Sequence, residues 1–315
     1  MAKTLYVVVP CYNEQEVFPE TQKRLCEKLA ALIAGNKVTD QSRIFFVNDG
    51  SKDTTWKLIT EAYESEPLVC GMSLSRNRGH QNALLAGLLS AAEHCDFTIS
   101  IDADLQDDIN VFDEMIAKYD AGADIVYGVR GARETDTAFK RNTAQSFYKF
   151  SAKMGVDTVY NHADFRLMSR RAIEALREFK EVNLYLRGLV PLLGFKTDKV
   201  LYERTPRTAG VSKYPLKRML ALALDGITGF SVKPIRMVFW TGVWIMVLAL
   251  IAFIAGLVLY LCGVFETGMM AIVAALFWLG GIQLIAMGVV GEYVGKAYME
   301  TKHRPRFVIS DIRVK

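Results

Sequence analysis

The stretch Phe97-Thr-Ile-Ser-Ile-Asp-Ala-Asp-Leu-Gln-Asp107 is a short apolar run followed at once by polar residues. The run from Phe97 to Ile101 is rich in β-branched residues, so we predict a buried strand. In an open α/β sheet, ligands bind beyond the carboxyl ends of the strands, so Asp102, Asp104 and Gln106 are expected to line a cleft. Their oxygens suit Mg²⁺ or Mn²⁺, which usually also binds substrate phosphates. The alternative is an ordinary polar turn, in which Asp is common.

Strands and helices alternate on both sides of this stretch, which predicts an α/β fold with a mostly parallel sheet. Two earlier strands also end in polar loops, Pro10-Cys-Tyr-Asn-Glu14 and Asn48-Asp-Gly-Ser-Lys-Asp53. Asp53 is predicted to cap the helix that follows it, and Ser169 is predicted to cap the helix that begins after it. Asp49 is interpreted instead as a ligand for the edge of a pyrimidine or for ribose hydroxyls. These loops together predict that ligands bind at one edge of the sheet, where the strands reach their carboxyl ends; we call it the working edge.

The composition excludes some classes of protein. A net charge of +4 over 315 residues is too mild to indicate nucleic-acid binding. Five scattered cysteines without metal-ligand spacing indicate a reducing compartment, and Cys11 is interpreted as a buried filler rather than a nucleophile. No secretory signal opens the sequence, so the catalytic part is expected in the cytoplasm.

Two uncharged apolar runs near the end, residues 237–264 and 269–290, are each long enough to span a bilayer. Their connector is short and lacks cations, whereas Lys and Arg flank the pair. This pattern predicts a transmembrane hairpin at residues 234–291 with cytoplasmic flanks, and a buried core hairpin is the alternative. The end of the tail, residues 306–313, is a candidate extra strand.

Basic residues accumulate in two further regions. The helix predicted at residues 138–154 has an apolar stripe accompanied by cations, which suits either a membrane surface or a core-facing helix. The loop Arg204-Thr-Pro-Arg-Thr-Ala-Gly-Val-Ser-Lys-Tyr214 is interpreted as a phosphate-binding loop, with a solvated loop as the alternative. A second amphipathic helix is predicted next to the membrane, at residues 213–233.

Four stretches carry a resemblance to a known family: Val8-Val-Pro-Cys-Tyr-Asn-Glu14, Val47-Asn-Asp-Gly-Ser51, Asp102-Ala-Asp-Leu-Gln-Asp107 and Asp164-Phe-Arg-Leu-Met168. In this order they resemble family 2 glycosyltransferases. Gly291-Glu-Tyr-Val-Gly-Lys296, after the apolar hairpin, is similar to the polyprenyl-phosphate branch, which includes bactoprenol glycosyltransferases and dolichol-phosphate mannose synthases. The resemblance runs almost from end to end.

The resemblance implies a GT-A (Rossmann-like) catalytic domain at residues 1–212, a C-terminal two-helix transmembrane hairpin and a cytoplasmic tail at residues 292–315. It implies that Mg²⁺ or Mn²⁺ binds the donor diphosphate through Asp102, Asp104 and Gln106. It also implies nucleoside contacts from Pro10, Tyr12, Glu14 and Asp49. The lipid phosphate would be received by Arg130, with Lys140 and Arg141, and a loop with Arg207, Ser212 and Lys213 would close over the phosphates. Of these, the catalytic set would be Asp102, Asp104, Arg130, Arg207 and Lys213.

The activity implied is inverting transfer of a hexose, from UDP-glucose or UDP-N-acetylglucosamine, to undecaprenyl phosphate in the bacterial inner membrane. A phosphate nucleophile with a second pKa of about 6 is largely ionised at neutral pH, so no strong base is required. Asp157 and Asp164 are candidates for contact with the sugar, Arg166 is a candidate structural partner for one of them, and His80 and His162 are interpreted as polar surface. The alternatives are a polysaccharide synthase, although no Gln-x-x-Arg-Trp is present, and a silent nucleotide-sugar sensor; a homo-oligomer is left open.

Overall fold

The computed structural model describes residues 2–131, 162–182, 184–203, 231, 233–262 and 269–315. These residues divide into two compact units along the chain. One unit contains an eight-stranded sheet with its helices, and it includes the C-terminal residues Arg304–Lys315. The other unit contains two long helices within Met219–His303.

The sheet confirms the α/β prediction. Its spatial order is β7-β5-β6-β4-β1-β2-β3-β8. The strands are β1 Leu5–Cys11, β2 Arg43–Asn48, β3 Val69–Leu74, β4 Phe97–Ser100, β5 Ile125–Arg130, β6 His162–Ser169, β7 Thr197–Tyr202 and β8 Ile309–Arg313. The strand expected at the end of the tail is therefore present.

Most strand pairs at the centre of the sheet are parallel, as predicted. Strand β1 pairs in parallel with β2 and β4, β2 with β3, and β5 with β7. Strand β6 is the main exception, because it runs antiparallel between β4 and β5. The N-terminal end of β6 therefore lies beside the carboxyl ends of its neighbours, at the edge where ligands bind in such sheets.

The described residues of the same unit contain these α-helices: α1 Phe18–Ala34, α2 Thr55–Ser65, α3 His80–Ala91, α4 Phe112–Asp120, α5 Arg170–Arg177 and α6 Leu186–Leu192. The start of α5 confirms the predicted cap, since the hydroxyl of Ser169 accepts from the N–H of Ala172 at 3.3 Å. Asp53 likewise accepts from the N–H of Thr55 at the start of α2, at 3.0 Å. These local signals set where two helices begin.

Close packing of α3 against the sheet brings the start of that helix to the working edge. A Cβ on Gly87 would lie 2.5 Å from Val8 and 2.6 Å from Val47, so only glycine fits between this helix and strands β1 and β2. Strands β1 and β2 are almost completely buried, and Phe18 of α1 packs on Phe46 of β2 with ring centroids 4.8 Å apart. The core is therefore continuous beneath the site.

The second unit contains α7 Lys233–Leu261 and α8 Met269–Thr301. Helix α8 continues eleven residues past the predicted boundary at 290. In the part of the chain that the structure describes, one segment, Trp278–Thr301, is long and apolar enough to cross a membrane. Crossing by both helices therefore stays a prediction. The helix predicted at residues 138–154, nearly all of the helix predicted at residues 213–233, and the connector at residues 265–268 lie outside the described residues.

Candidate functional site

The loops that follow β1 and β2 interlock through side chain to backbone hydrogen bonds. The N–H of Asn13 donates to Ser51 Oγ at 3.0 Å, and the N–H of Lys52 donates to Asn13 Oδ1 at 2.9 Å. The N–H of Glu14 donates to Thr55 Oγ1 at 2.9 Å. The two loops therefore form one rigid wall at the carboxyl edge of the sheet.

The predicted nucleoside-binding residues occupy different positions in this wall. Pro10 is buried within β1, where it pairs with Val47, whereas the Tyr12 side chain is exposed. Glu14 is half-buried at the junction of the two loops. A ring and a carboxylate on this wall can contact a base or a ribose, and the roles proposed for Pro10, Tyr12 and Glu14 stay predictions.

Asp49 joins two loops through hydrogen bonds, a structural role that was not predicted from the sequence. Its Oδ1 accepts from the N–H of Arg78 at 2.7 Å and its Oδ2 accepts from the N–H of Gly79 at 2.9 Å. Burial raises the pKa of this carboxyl, and the two backbone N–H groups lower it. Asp49 thus joins the loop after β2 to the loop after β3, and any contact with a nucleoside would be additional to these bonds.

Asp102 and Asp104 lie on a tight turn directly after β4. The N–H of Leu105 donates to the carbonyl of Asp102 at 3.2 Å, and Leu105 has a φ of +43°. The N–H of Gln106 donates to Asp104 Oδ1 at 3.3 Å. The turn therefore places two carboxylates and one amide within five residues, at the edge where β4 ends.

The electrostatics of this turn fit a divalent cation. Burial raises the pKa of Asp102; His80 lowers it, and the carboxylates of Asp107, Asp164 and Asp104 raise it. The Asp102 side chain is still 40% exposed, so an ion from solvent can reach it. Among the described residues no three His, Cys, Asp or Glu side chains form a metal cluster. An ion bound here would therefore need further oxygens, which a diphosphate supplies.

His80 lies between two carboxylates, which corrects its interpretation as polar surface. Its Nε2 is 3.5 Å from Asp102 Oδ1 and 3.6 Å from Asp164 Oδ2. Burial lowers the pKa of His80, but the contact with Asp164 and the charges of Asp102 and Asp164 outweigh it and raise the pKa to about 9. The imidazolium thus links the turn after β4 to the start of β6.

Asp164 is buried and surrounded by cations. Arg166 Nη2 donates to its Oδ1 at 2.8 Å, which confirms the expected pairing, and Arg187 Nη2 donates to its Oδ2 at 3.1 Å. Burial alone would raise the pKa of Asp164, but Arg187, His80 and Arg166 hold it well below its usual range. The Asp164 carboxylate is therefore a fixed anion at the edge of the site.

Arg130, Asp107 and Tyr202 form a second polar cluster beside the turn. Tyr202 Oη donates to Asp107 Oδ1 at 2.5 Å, and Arg130 Nε donates to Tyr202 Oη at 3.2 Å. Arg130 Nη2 lies 3.4 Å from the same oxygen of Asp107. The cation predicted to receive the acceptor is thus tied to the loop that carries Asp102 and Asp104.

The other predicted site residues cannot be compared with these positions. Lys140, Arg141, Asp157, Arg207, Ser212 and Lys213 lie outside the described residues. Cys11 is fully buried, and burial raises the pKa of its thiol. A protonated, buried thiol is a poor nucleophile, which agrees with the interpretation of Cys11 as a filler.

Comparison with known proteins identifies the family. A family model described as glycosyl transferase family 2 matches residues 6–177. A relative named uncharacterized glycosyltransferase YkoT, of Bacillus subtilis (strain 168), is 48% identical over 97% of this chain and 90% of its own. The chain belongs to glycosyl transferase family 2. Its membership and the sheet described above confirm the predicted GT-A class of catalytic domain.

Other family 2 relatives have more specific names. The bactoprenol glucosyl transferase of Shigella phage SfV is 40% identical over 98% of this chain and 99% of its own. Among solved structures, a mannosyltransferase from Pyrobaculum calidifontis in complex with GDP-Man and Mn²⁺ is 16% identical. It covers 95% of this chain and 85% of its own, with a TM-score of 0.45.

Four residues in the two polar clusters were missed or undervalued from the sequence. His80 follows the loop after β3, Asp107 closes the predicted metal turn, Tyr202 ends β7 and Arg187 lies in α6. One signal was available, since Asp107 lies in the same stretch as Asp102 and Asp104. The other three come from distant parts of the chain, and only the sheet order brings them together.

Proposed function

We propose that this family 2 glycosyltransferase is an inverting enzyme that transfers a hexose from a nucleotide-sugar to undecaprenyl phosphate. The proposed donor is UDP-glucose or UDP-N-acetylglucosamine. The bactoprenol glucosyl transferases that match almost the whole chain support a lipid phosphate as acceptor. The product would be a lipid-phosphate-linked sugar for glycosylation of the cell envelope.

The observation that carries the choice of acceptor is the paired state of Asp164. A hydroxyl acceptor needs a general base, and Asp164 is a buried carboxylate whose Oδ2 lies 3.6 Å from His80 Nε2, the same atom that contacts Asp102. Its two oxygens already accept from Arg166 and Arg187, so it is poorly suited to take a proton. A phosphate monoester is largely ionised at neutral pH and needs no such base.

The proposed donor site uses Asp102, Asp104 and Gln106 to hold Mg²⁺ or Mn²⁺ on the diphosphate. When bound, the ion would neutralise the charge that develops on the leaving nucleoside diphosphate. Tyr12, Glu14 and Asp49, with Pro10 beneath them, would contact the nucleoside. The Asp164 carboxylate would accept hydrogen bonds from hydroxyl groups of the sugar and so orient it, because a fixed carboxylate is a strong hydrogen-bond acceptor.

The proposed acceptor site uses Arg130 at the end of β5. Lys140, Arg141, Ser212 and Lys213 are proposed to complete it, and Arg207 is proposed to close over the phosphates with Lys213. Cations are the groups that bind a phosphate most strongly, and a planar guanidinium can bind it through two nitrogens. A lipid acceptor also requires that the site lie near a bilayer.

The proposed address is the bacterial inner membrane, with the catalytic domain in the cytoplasm and the hairpin at residues 234–291 as anchor. Pairing of β8 with β3 supports this topology. Strands on both sides of the helical segment belong to one sheet, so the chain on both sides lies on the same face of any membrane. This arrangement would require an even number of crossings, which is a reason to propose a hairpin rather than one span.

A transfer assay tests the proposal and separates it from its alternatives. Purified chain in detergent is given undecaprenyl phosphate, Mn²⁺ or Mg²⁺, and radiolabelled UDP-glucose or UDP-N-acetylglucosamine. We expect label in the chloroform-soluble fraction. Label in a water-soluble polymer would instead indicate a polysaccharide synthase. Binding of the nucleotide-sugar with no transfer to either fraction would indicate a sensor.

A further inference from the structure

The cluster of Arg130, Asp107 and Tyr202 is built from three separate segments of the chain. Arg130 and Tyr202 are paired in register at the ends of the parallel strands β5 and β7, and the N–H of Gly131 donates to the carbonyl of Tyr202 at 2.9 Å. Asp107 comes from the loop that follows β4. The contacts therefore connect the proposed donor loop to the proposed acceptor cation.

Burial makes this cluster rigid. The Asp107 side chain is 2% exposed and that of Arg130 is 19% exposed. The Tyr202 ring is buried and packs edge-on against Phe165, with centroids 5.2 Å apart. A tyrosine held in this way has a fixed hydroxyl, so the atoms that contact it are fixed as well.

The hydroxyl of Tyr202 has one donor and can accept as well, and here it does both. It donates its proton to Asp107 and accepts from Arg130 Nε. Burial and the charge of Asp107 raise the pKa of Tyr202, so the proton stays on the phenol. The orientation of the Arg130 guanidinium is therefore set from two sides, by a neutral hydroxyl and by a buried carboxylate.

We propose that Tyr202 and Asp107 are positioning residues that orient Arg130 toward the phosphate of the lipid acceptor. The inference rests on the proposed function, because it assigns the acceptor side of that reaction. Tyr202 and Asp107 act through Arg130 rather than on the substrate. They also couple the position of Arg130 to the loop with Asp102 and Asp104, so donor and acceptor sites share one support.

The test is Tyr202→Phe, measured by two-substrate kinetics in the transfer assay. The variant loses the hydrogen bonds to both Asp107 and Arg130. The bond that orients Arg130 is one to a charged group and is worth roughly tenfold, so we expect KM for undecaprenyl phosphate to rise by about that factor. KM for the nucleotide-sugar, and calorimetric affinity for UDP with Mn²⁺, should change less than about twofold. A collapse of the site would weaken both substrates equally, which would contradict the proposal.

A matched control removes another tyrosine hydroxyl far from the site. Tyr119 Oη donates to the carbonyl of Asp96, just before the opposite end of β4, at 3.4 Å. Tyr119→Phe should leave both KM values unchanged. If Tyr202→Phe is less stable than this control, which a lower melting temperature would show, the two KM values are compared in Asp107→Asn instead, because asparagine keeps the volume of the side chain and loses the charge.

A double-mutant cycle with Arg130→Lys tests whether the effect passes through Arg130. Lysine keeps the charge but has no Nε to donate to Tyr202, so Tyr202→Phe should add less than about twofold in this background. Independent effects that multiply would overturn the proposal. If the wild-type chain transfers sugar and Tyr202→Phe has the same KM for undecaprenyl phosphate, the positioning role proposed here is wrong, and the proposed function is unaffected. If the wild-type chain makes no glycolipid, the proposed function fails.

Discussion

Arg187 holds both carboxylate oxygens of Asp164, with Nε 3.3 Å from Oδ1 and Nη2 3.1 Å from Oδ2. Arg166 contacts the same carboxylate from within the sheet and is itself completely buried. In the described part of the chain, Arg166 Nε and Nη1 have no hydrogen-bond partner. Two guanidinium groups thus fix one anion, at the cost of an incompletely satisfied arginine beneath it.

Arg187→Lys should weaken use of the nucleotide-sugar, because an ammonium cannot contact both oxygens of Asp164 with the same geometry. We expect the KM for the donor to rise by about fivefold, which corresponds to one weakened charged hydrogen bond. Arg187 also lowers the pKa of Asp164. On acidification, the activity of the variant should therefore begin to fall at a higher pH than that of the wild-type protein. Arg177→Lys is the control, because Arg177 donates to Leu89 away from the site.

Asp104→Asn should lower the turnover number by about a hundredfold or more, the order of loss when one electrostatic stabiliser of a leaving group is removed. The reason is the lost negative charge, since the amide keeps an oxygen of similar size. Asp108→Asn, four residues along, keeps the oxygen that accepts from the N–H of Asn110 and should retain near-normal turnover. Equal turnover by the two variants would contradict the ligand role of Asp104.

Removal of divalent cations with EDTA should abolish transfer and weaken UDP binding, because two carboxylates and an amide cannot neutralise a diphosphate. Addition of Mn²⁺ or Mg²⁺ should restore both. Calorimetry with UDP gives a measurement that is independent of turnover. Unchanged UDP affinity in EDTA would show that this enzyme holds its donor without an ion.

Gly50→Ala should destabilise the protein by roughly 3 kcal/mol, because two penalties combine. Gly50 has a φ of +59°, and a Cβ there would lie 2.4 Å from the backbone carbon of Arg76. Gly194 has a similar φ of +68°, but a Cβ there would have no described atom within 4 Å. Gly194→Ala should therefore cost only about 1 kcal/mol.

Thermal denaturation of the two glycine variants in detergent makes the comparison. Gly50→Ala should also weaken UDP binding, since it displaces the loops that Asp49 joins, whereas Gly194→Ala should bind UDP normally. Similar melting temperatures for both would mean that the loop after β3 moves to accept the methyl group.

Asp124→Asn should lower the melting temperature by a few degrees at pH 7 and by less near pH 3. Asp124 is shielded from solvent and accepts from Arg171 Nε at 2.5 Å and Ser169 Oγ at 3.0 Å. Arg171 lowers the pKa of this carboxyl below its ordinary value. Its stabilising contribution is therefore complete above the unfolded pKa of about 3.9, and it is lost as pH falls through the lower folded pKa.

The control for this pH dependence is Asp120→Asn. Asp120 pairs with Lys3 on the surface, where both side chains are exposed, and such pairs contribute little. Its melting curves should follow those of the wild-type protein at both pH values. If the difference in melting temperature between wild type and Asp124→Asn grew toward acid pH, the lowered pKa of Asp124 in the folded protein would be contradicted.

Local signals in the sequence predicted the features that depend on neighbouring residues. The cap at Ser169, the bond from Thr55 to Asp53 and the turn after β4 all involve residues within a few positions of one another. The antiparallel insertion of β6 depends on pairing with two distant strands, so alternation of strands and helices did not indicate it. Because the insertion of β6 was not predicted, the contact between His80 and Asp164 was not predicted either.

The same limit explains Asp49 and Tyr202. A carboxylate after a strand suggests a ligand role, and nothing near Asp49 indicates that Arg78 and Gly79 will donate to both of its oxygens. Tyr202 ends an edge strand, and its partner Arg130 on the neighbouring strand β5 is 72 residues earlier in the chain. Contacts of this kind become visible only when the order of the strands is known.

The antiparallel course of β6 has a consequence for engineering. Val129 near the end of β5 pairs with His162 at the start of β6, so the chain leaves the sheet after Arg130 and returns to it at the same edge. Both strand ends beside Arg130, the proposed acceptor cation, are thus anchored in the sheet, whereas the proposed donor residues Tyr12 and Asp49 lie on other loops. Because the proposed acceptor and donor residues are held by separate parts of the sheet, substitutions at the ends of β5 and β6 should alter the choice of lipid and leave the choice of sugar intact.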